Sequence, residues 1–134
     1  MDALADSTSD EIFVDIDQKF EAWTPRLWGL FLNRCVEAEK KADVIFHKVQ
    51  VRKSSSGKIH AKVIFKNPAT IDVTFLVRAF LGDDPFRLAA DMVRWVKFGN
   101  KAEINRIFDT KFVDNEVRRA GPWMDLGLLI HGGT

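Results

Sequence analysis

Cysteine is almost absent from this sequence of 134 residues, which contains only Cys35. A single cysteine cannot form a disulfide within the chain, so a small secreted fold held by disulfides is excluded and a reducing compartment is favoured. Apolar runs of the ~20 residues that a membrane-spanning helix needs are also missing. The start, MDALADSTSD, lacks the basic and apolar regions of a signal peptide. We therefore expect a soluble, cytoplasmic protein with no membrane partner.

An excess of charge of one sign is lacking as well, since the formal net charge is +1. Proteins that bind nucleic acid without sequence preference usually carry a strongly basic surface, so any anion site in this chain must be local. A hydrophobic content of 46% over this length is enough for one core. We expect a flexible tail at residues 1–10 and a single domain at residues 11–134.

Apolar periodicity and turn residues indicate alternating strands and helices. The predicted elements are a strand at Ile12–Asp17, a helix at Arg26–Lys41, a hairpin of Val44–Val51 with Ile59–Phe65, helices at Ile71–Leu81 and Phe86–Phe98, and a last strand within Ile104–Phe112. For Ile71–Leu81 a strand is the alternative to the favoured helix. Thr24 and Pro25 are typical of the N-cap and first residue of the first helix. Leu27, Leu30, Phe31, Cys35 and Ala38 recur at helical spacing, which predicts the buried face of that helix.

Two aspartates form the first candidate site. Asp15 and Asp17 are two residues apart in a predicted strand, so both carboxylates project from the same face. Two like charges in an apolar run are costly to bury unpaired, which favours a divalent cation or a cationic side chain beside them. Carboxylate oxygens suit Mg²⁺ or Mn²⁺. The alternative is a strand end at which both aspartates meet solvent.

The stretch VRKSSSGKIH, residues 51–60, forms the second candidate site. Its serine hydroxyls and glycine backbone suit phosphate oxygens, and Arg52, Lys53 and Lys58 add positive charge. His60 lies on the strand face opposite Ile59. The spacing of a Walker A loop is missing. A solvated hairpin tip followed by a structural histidine is the alternative.

Two further acidic segments remain. Asp109 ends the apolar run Ile107-Phe108, and together with Lys111 it matches the D-x-K half of a metal-dependent nuclease site. The turn Gly82-Asp83-Asp84-Pro85 is typical of a connection between helices, with its aspartates at or near the cap of the second helix.

The order of these motifs resembles the catalytic core of the archaeo-eukaryotic primase superfamily, which includes replicative small primase subunits and the polymerase domain of bacterial end-joining ligases. Members carry an apolar strand ending in D-x-D, a helix, a hairpin with a glycine-containing loop and a histidine, and later an apolar strand ending in an acidic residue. Here Phe13–Asp17, Ser54–His60 and Ile107–Asp109 match these motifs in order. The resemblance covers about residues 11–112.

The resemblance implies a template-dependent nucleotidyltransferase, a DNA primase or polymerase that uses two Mg²⁺ or Mn²⁺ ions. Asp15, Asp17 and Asp109 would be the catalytic metal ligands. The implied residues for the nucleoside triphosphate are Ser54, Ser56, Lys58 and His60, assisted by Arg52 and Lys53. Implied partners are a single-stranded or primed DNA template and other replication proteins. Trp23 and Trp123 are candidates for stacking on bases, with packing as the alternative.

The fold that the resemblance implies is a two-layer α+β domain, with a mostly antiparallel sheet and helices on one face, as in RNA-recognition-type (RRM-like) cores. The small size is consistent with a virus- or plasmid-encoded minimal form. The family's zinc-binding cysteines have no counterpart in this chain. Two alternatives therefore stay open: a non-catalytic module that binds nucleotide or nucleic acid on the same scaffold, and a metal-dependent nuclease that uses Asp109 and Lys111.

Overall fold

A computed structural model of the chain describes residues 8–100, 104–106, 110–113 and 116–131. In chain order these ranges form β1 (Thr8–Lys19), a 3-10 turn (Phe20–Ala22), α1 (Pro25–Ala42), β2 (Phe46–Lys53), β3 (Lys58–Thr70), α2 (Ile71–Phe80), α3 (Pro85–Phe98), β4 (Thr110–Val113), β5 (Glu116–Arg119), β6 (Met124–Asp125) and α4 (Leu126–His131). The helix predicted at Ile71–Leu81 is confirmed as α2.

The main sheet has the strand order β1-β3-β2-β6, and every hydrogen-bonded pair of neighbours in it is antiparallel. Since β1 and β2 both run antiparallel to β3, they are parallel to each other, and α1 forms the crossover between them. β4 and β5 form a separate two-stranded hairpin. The predicted α+β class with an antiparallel sheet is confirmed.

Alternating residues of the two central strands build the core. Ile59, Ala61, Val63 and Phe65 of β3 are at most 5% exposed, and the prediction that they share the buried face of the hairpin is confirmed. In β1 the residues Ile12, Val14 and Ile16 take the same face. Phe31, Cys35 and Ala38 of α1 cover this layer. Burying such a side chain stabilises a fold by roughly 1.5 to 3 kcal/mol.

Helix α1 begins as predicted, and Phe31, Cys35 and Ala38 of its predicted face are buried, but the two leucines of that face are not. Pro25 is its first residue, and the hydroxyl oxygen of Thr24 accepts a hydrogen bond from the backbone N–H of Leu27 at 3.4 Å. Leu27 and Leu30, predicted to be buried, are 39% and 52% exposed, whereas Trp28 is 2% exposed. The prediction for the two leucines is wrong because the larger indole takes the apolar site.

Three boundaries differ from the sequence prediction. β1 begins at Thr8, so residues 8–10 of the predicted flexible tail belong to a strand, in which Thr8 pairs with Thr70 and Ser9 with Ala69 of β3. Of the strand predicted within residues 104–112, residues 104–106 are not in a strand, residues 110–112 belong to β4, and residues 107–109 lie outside the described residues. The C-terminal segment, for which the sequence predicted no elements, forms β5, β6 and α4. Within the described ranges, no helix combines the length and the apolar character needed to cross a bilayer.

Cys35 is expected to be chemically inert in the folded protein. Its side chain is 1% exposed, and burial together with the nearby Glu39 raises the pKa of the thiol to about 12. A raised pKa keeps the thiol neutral at pH 8, so its reaction with a disulfide reagent should be roughly 1000-fold slower than in the unfolded chain. Absorbance after mixing with the reagent, with and without urea, measures both rates. Equal rates would contradict the buried position.

Candidate functional site

Three polar side chains form a row across the face of the sheet that is turned away from the core, here called the outer face. In the strand register Asp15 of β1 pairs with His60 of β3, and His60 pairs with Arg52 of β2. The Nε2 atom of His60 lies 3.9 Å from Oδ1 of Asp15. On the other side, Nε of Arg52 donates a hydrogen bond to Nδ1 of His60 at 3.1 Å. The structure thus brings Asp15 of the first candidate site next to His60 and Arg52 of the second.

The bond from Arg52 determines how His60 presents its ring. A neutral imidazole has one donor and one acceptor nitrogen, and here Nδ1 is the acceptor. The proton of the neutral ring therefore resides on Nε2, the nitrogen that faces Asp15. His60 offers a hydrogen-bond donor at the place where the carboxylate of Asp15 projects.

The outer face is partly covered by an indole. Trp123 lies with its ring centroid 4.3 Å from Cζ of Arg52, 4.6 Å from Nζ of Lys62 and 6.0 Å from the ring of Phe13. The two cation–π contacts stabilise this position. Arg52 and His60 are only 5% exposed, whereas the side chain of Asp15 is 36% exposed. Asp15 is therefore the member of the row that solvent reaches most easily.

The backbone of Asp15 is fixed by the turn that the sequence assigned to a helix connection. Oδ1 of Asp83 accepts a hydrogen bond from the N–H of Asp15 at 2.8 Å, and the N–H of Asp84 donates to the carbonyl of Asp15 at 2.8 Å. Asp84 also caps α3 by accepting from the N–H of Phe86 at 2.8 Å, so the predicted cap is confirmed. The turn thus occupies the free edge of β1, as a neighbouring strand would.

A buried charge network supports this turn. Asp83 has a fully buried carboxylate that accepts from Nε of Arg78 at 2.8 Å and from Nη1 of Arg87 at 2.8 Å. Arg78 also contacts Asp91 at 2.9 Å, and Arg87 donates to the carbonyl of Phe13 at 3.0 Å. Sequence reasoning named Asp83 only as part of a turn and missed Arg78, Arg87 and Asp91, although the spacing of Asp83 and Arg87 at i and i+4 is a signal for an ion pair.

The electrostatics of Asp15 favour a cation beside it. Burial raises the pKa of its carboxyl above the usual value, the positive charge of Arg87 opposes that shift, and the negative charges of Asp83 and Asp84 add to it. Lys58 has the smallest, lowering effect. Because part of the pKa increase comes from like charges, an added cation would stabilise the ionised form.

Asp17 and Lys58 lie beside the row and already pair with each other. The ammonium group of Lys58 contacts Oδ1 of Asp17, and both side chains are well exposed, at 45% and 69%. The bond to Asp17 raises the pKa of Lys58. An exposed pair of this kind contributes little to stability and separates readily when a more highly charged ligand arrives.

The turn Ser54–Gly57, here called the serine turn, is held together by the hydroxyl group of Ser54. The hydroxyl of Ser54 accepts from the N–H groups of Ser56 at 3.3 Å and Lys58 at 2.9 Å and is hydrogen-bonded to the hydroxyl of Ser56 at 3.1 Å. With these three bonds its capacity is filled, so Ser54 forms the turn. Gly57 has φ +83°, a conformation that disfavours a side chain. Lys53 projects from the face opposite Arg52 and contacts Glu21 at 2.5 Å.

Asp109, the third predicted metal ligand, lies outside the described residues, and the side chain of Lys111 is not described either. Among the residues that the structure does describe, no group of three or more histidine, cysteine, aspartate or glutamate side chains is placed to hold a metal ion. Of the predicted residues, Asp15, His60 and Arg52 form the row on the outer face, and Asp17 lies beside it, paired with Lys58. Comparisons with models of protein families, with curated proteins and with solved structures found no match.

Proposed function

We propose that this protein is a template-dependent nucleotidyltransferase, a minimal DNA primase or polymerase that acts on nucleoside triphosphates with a single-stranded or primed DNA template. The observation that supports the proposal most directly is the row of Asp15, His60 and Arg52 across three strands of the outer face. Such a row places an exposed carboxylate next to an oriented imidazole donor. The row therefore combines a carboxylate that can accept a proton, an imidazole N–H that can donate a hydrogen bond to a phosphate oxygen, and the positive charge of Arg52.

The strand order supports an RRM-like scaffold for this activity. In a split β-α-β arrangement the crossover helix joins two parallel strands, and a third strand lies between them. Here α1 joins β1 to β2, and β3 lies between the two. The outer face of β1 and β3, which carries Asp15 and His60, is the part of this scaffold left free by the helices that cover the core.

The donor set fits Mg²⁺ or Mn²⁺ at Asp15 and Asp17. Both are carboxylates, which hard cations prefer, and the pKa of Asp15 is raised partly by nearby negative charge. Asp109 is the proposed third ligand. When bound, divalent cations would supply charge stabilisation for the attacking and leaving oxygens. A cation bound at Asp17 would replace Lys58 as its partner, and the ammonium group of Lys58 would then be free to bind the triphosphate.

The protein's own residues would bind and orient the triphosphate. The Nε2–H of His60 is directed toward the place where a phosphate oxygen would lie beside Asp15, and Arg52 holds the ring in that orientation. Preorganised donors of this kind lower the barrier because they need no reorientation as charge develops. Cys35 is unpaired and buried, and we place the reaction in the cytoplasm, in DNA replication or repair.

Binding without catalysis is the second candidate function. It is favoured by the ion pair between Lys58 and Asp17, which engages one of the two described carboxylates that the metal ions would need. A non-catalytic module would use the same face to hold nucleotide or nucleic acid.

Simultaneous replacement of Asp15 and Asp17 by asparagine is expected to reduce nucleotide incorporation by about 100-fold or more. The assay is primer extension or initiation on single-stranded DNA with Mn²⁺, read on a gel. The matched control is Asp125→Asn, which removes an exposed carboxylate at the far strand of the sheet, where it contacts only Lys48 and Gln50 among the described residues.

Full activity of the double variant would overturn the assignment of this site. If the wild-type protein incorporates no nucleotide under any divalent metal but binds nucleotide, and the double variant binds equally well, the non-catalytic module is the correct function.

A further inference from the structure

A second polar site lies at the end of the sheet, in a cleft here called the arginine cleft. It has a volume of about 550 Å³ and is lined by Lys53, the turn Ser54–Gly57, Arg118, Arg119 and Gly121. The turn comes from the β2–β3 hairpin and the arginines from β5. The cleft therefore joins two hairpins that are distant in sequence.

One backbone contact brings these hairpins together. The N–H of Gly121 donates a hydrogen bond to the carbonyl of Lys53 at 2.8 Å, which fixes the segment after β5 alongside the end of β2. A Cβ at position 121 would lie 3.6 Å from that carbonyl, so the segment runs close to β2. Arg118 and Arg119 immediately precede this segment and are thereby held beside the serine turn.

The arginine cleft is separate from the row that contains Asp15. Lys53 follows Arg52 in β2, and consecutive strand residues project from opposite faces. Since Arg52 points to the outer face with His60, Lys53 points to the other face, where it meets Glu21. A ligand in this cleft would not need to contact the proposed catalytic row.

The charges in the cleft are unbalanced. Arg118 and Arg119 are exposed, and among the described residues neither forms an ion pair with a carboxylate. Among the described residues, the carboxylate of Glu21 pairs with the third cation, Lys53. In a chain whose net charge is +1, this concentration of positive charge is local.

We propose that the arginine cleft binds a ligand with consecutive phosphate groups. Guanidinium groups bind phosphate oxygens through paired hydrogen bonds. The exposed Ser56 adds a hydroxyl at the turn. The volume exceeds that of one phosphate and suits several in succession. Such phosphates occur in the polyphosphate tail of a nucleotide and in the backbone of a single-stranded nucleic acid. This inference does not depend on the nucleotidyl transfer proposed above.

The test measures binding without metal, so that catalysis plays no part. Fluorescence polarisation of a labelled oligothymidylate is recorded in EDTA over a range of salt concentrations, with the full-length protein. The double variant R118E/R119E should bind about tenfold or more weakly, and the slope of log K against log salt should fall by about 0.7 for each lost phosphate contact. The single variant Ser56→Asp, which places a negative charge at the turn, should also weaken binding.

The matched control is K41E/K97E, which changes the net charge by the same amount at two exposed helix positions outside the cleft. It should bind like the wild type. Competition by inorganic tripolyphosphate at the affinity of the oligonucleotide identifies a nucleotide tail as the ligand, whereas competition by polymer alone identifies the backbone. Three results would overturn the proposal. Binding of the oligonucleotide could be weakened equally by R118E/R119E and by the control, polyglutamate could compete with the oligonucleotide as well as polyphosphate does, or the wild type could fail to bind the oligonucleotide at low salt.

Discussion

Replacement of Arg78 by leucine is expected to lower the free energy of unfolding by about 3 kcal/mol. The side chain is fully buried and contacts the carboxylates of Asp83 and Asp91 at 2.8 and 2.9 Å. Removing it leaves two buried negative charges with fewer partners. We expect the lower end of the range for a broken buried ion pair, because Arg87 and Arg94 still contact these aspartates.

The control for this experiment is Arg94→Leu. Arg94 contacts Asp91 at the same distance of 2.9 Å, but its side chain is 50% exposed. Water already solvates this guanidinium, so its loss should cost less than about 1 kcal/mol. Urea unfolding followed by circular dichroism gives both values. If both variants lose the same stability, burial of Arg78 is not what makes its ion pairs important.

Replacement of Trp28 by alanine is expected to lower the free energy of unfolding by about 3 to 5 kcal/mol. The indole is 2% exposed, and its ring centroid lies 4.7 Å from that of Trp23, 5.3 Å from that of Phe20 and 6.5 Å from that of Phe31. Alanine would leave a cavity among three aromatic rings, and these rings are anchored on different elements, so the site cannot close completely.

Leu30→Ala is the informative comparison. Leu30 shares the helical spacing of the buried residues of α1, but it is 52% exposed. Its truncation should change stability by only about 0.5 kcal/mol. Chemical unfolding of the two variants under the same conditions measures the difference. A larger loss for Leu30→Ala than for Trp28→Ala would mean that Leu30, as predicted from the sequence, and not Trp28, fills the core beside Phe31.

Local pattern was sufficient for much of the scaffold. The β2–β3 hairpin follows from alternation on either side of a turn that contains Gly57, and the start of α1 follows from Thr24 and Pro25. These signals depend only on a few neighbouring residues, so they favour the same local structure whatever the rest of the chain packs against. The same alternation placed His60 on the face opposite Ile59, where Asp15 of the neighbouring strand also projects.

The contacts around the candidate site could not be predicted from local sequence. Asp83 lies 68 positions after Asp15, and nothing near either residue indicates that the carboxylate of one accepts from the backbone of the other. Trp123 reaches the outer face from beyond β5 and covers Arg52. No periodic pattern in the sequence predicts either contact, because each depends on how separate elements pack.

By itself, the sequence determined the class of the fold, the hairpin with its serine turn, the capping of α1 and the choice of Asp15, Asp17 and His60 as candidates. Only the tertiary structure decided that Trp28 rather than Leu30 fills the core, that Asp83 and Asp84 fix the edge of β1, and that Arg118 and Arg119 meet the turn. The physical reason is range: propensity and alternation are properties of short segments, whereas burial and charge pairing depend on the neighbours that folding brings together.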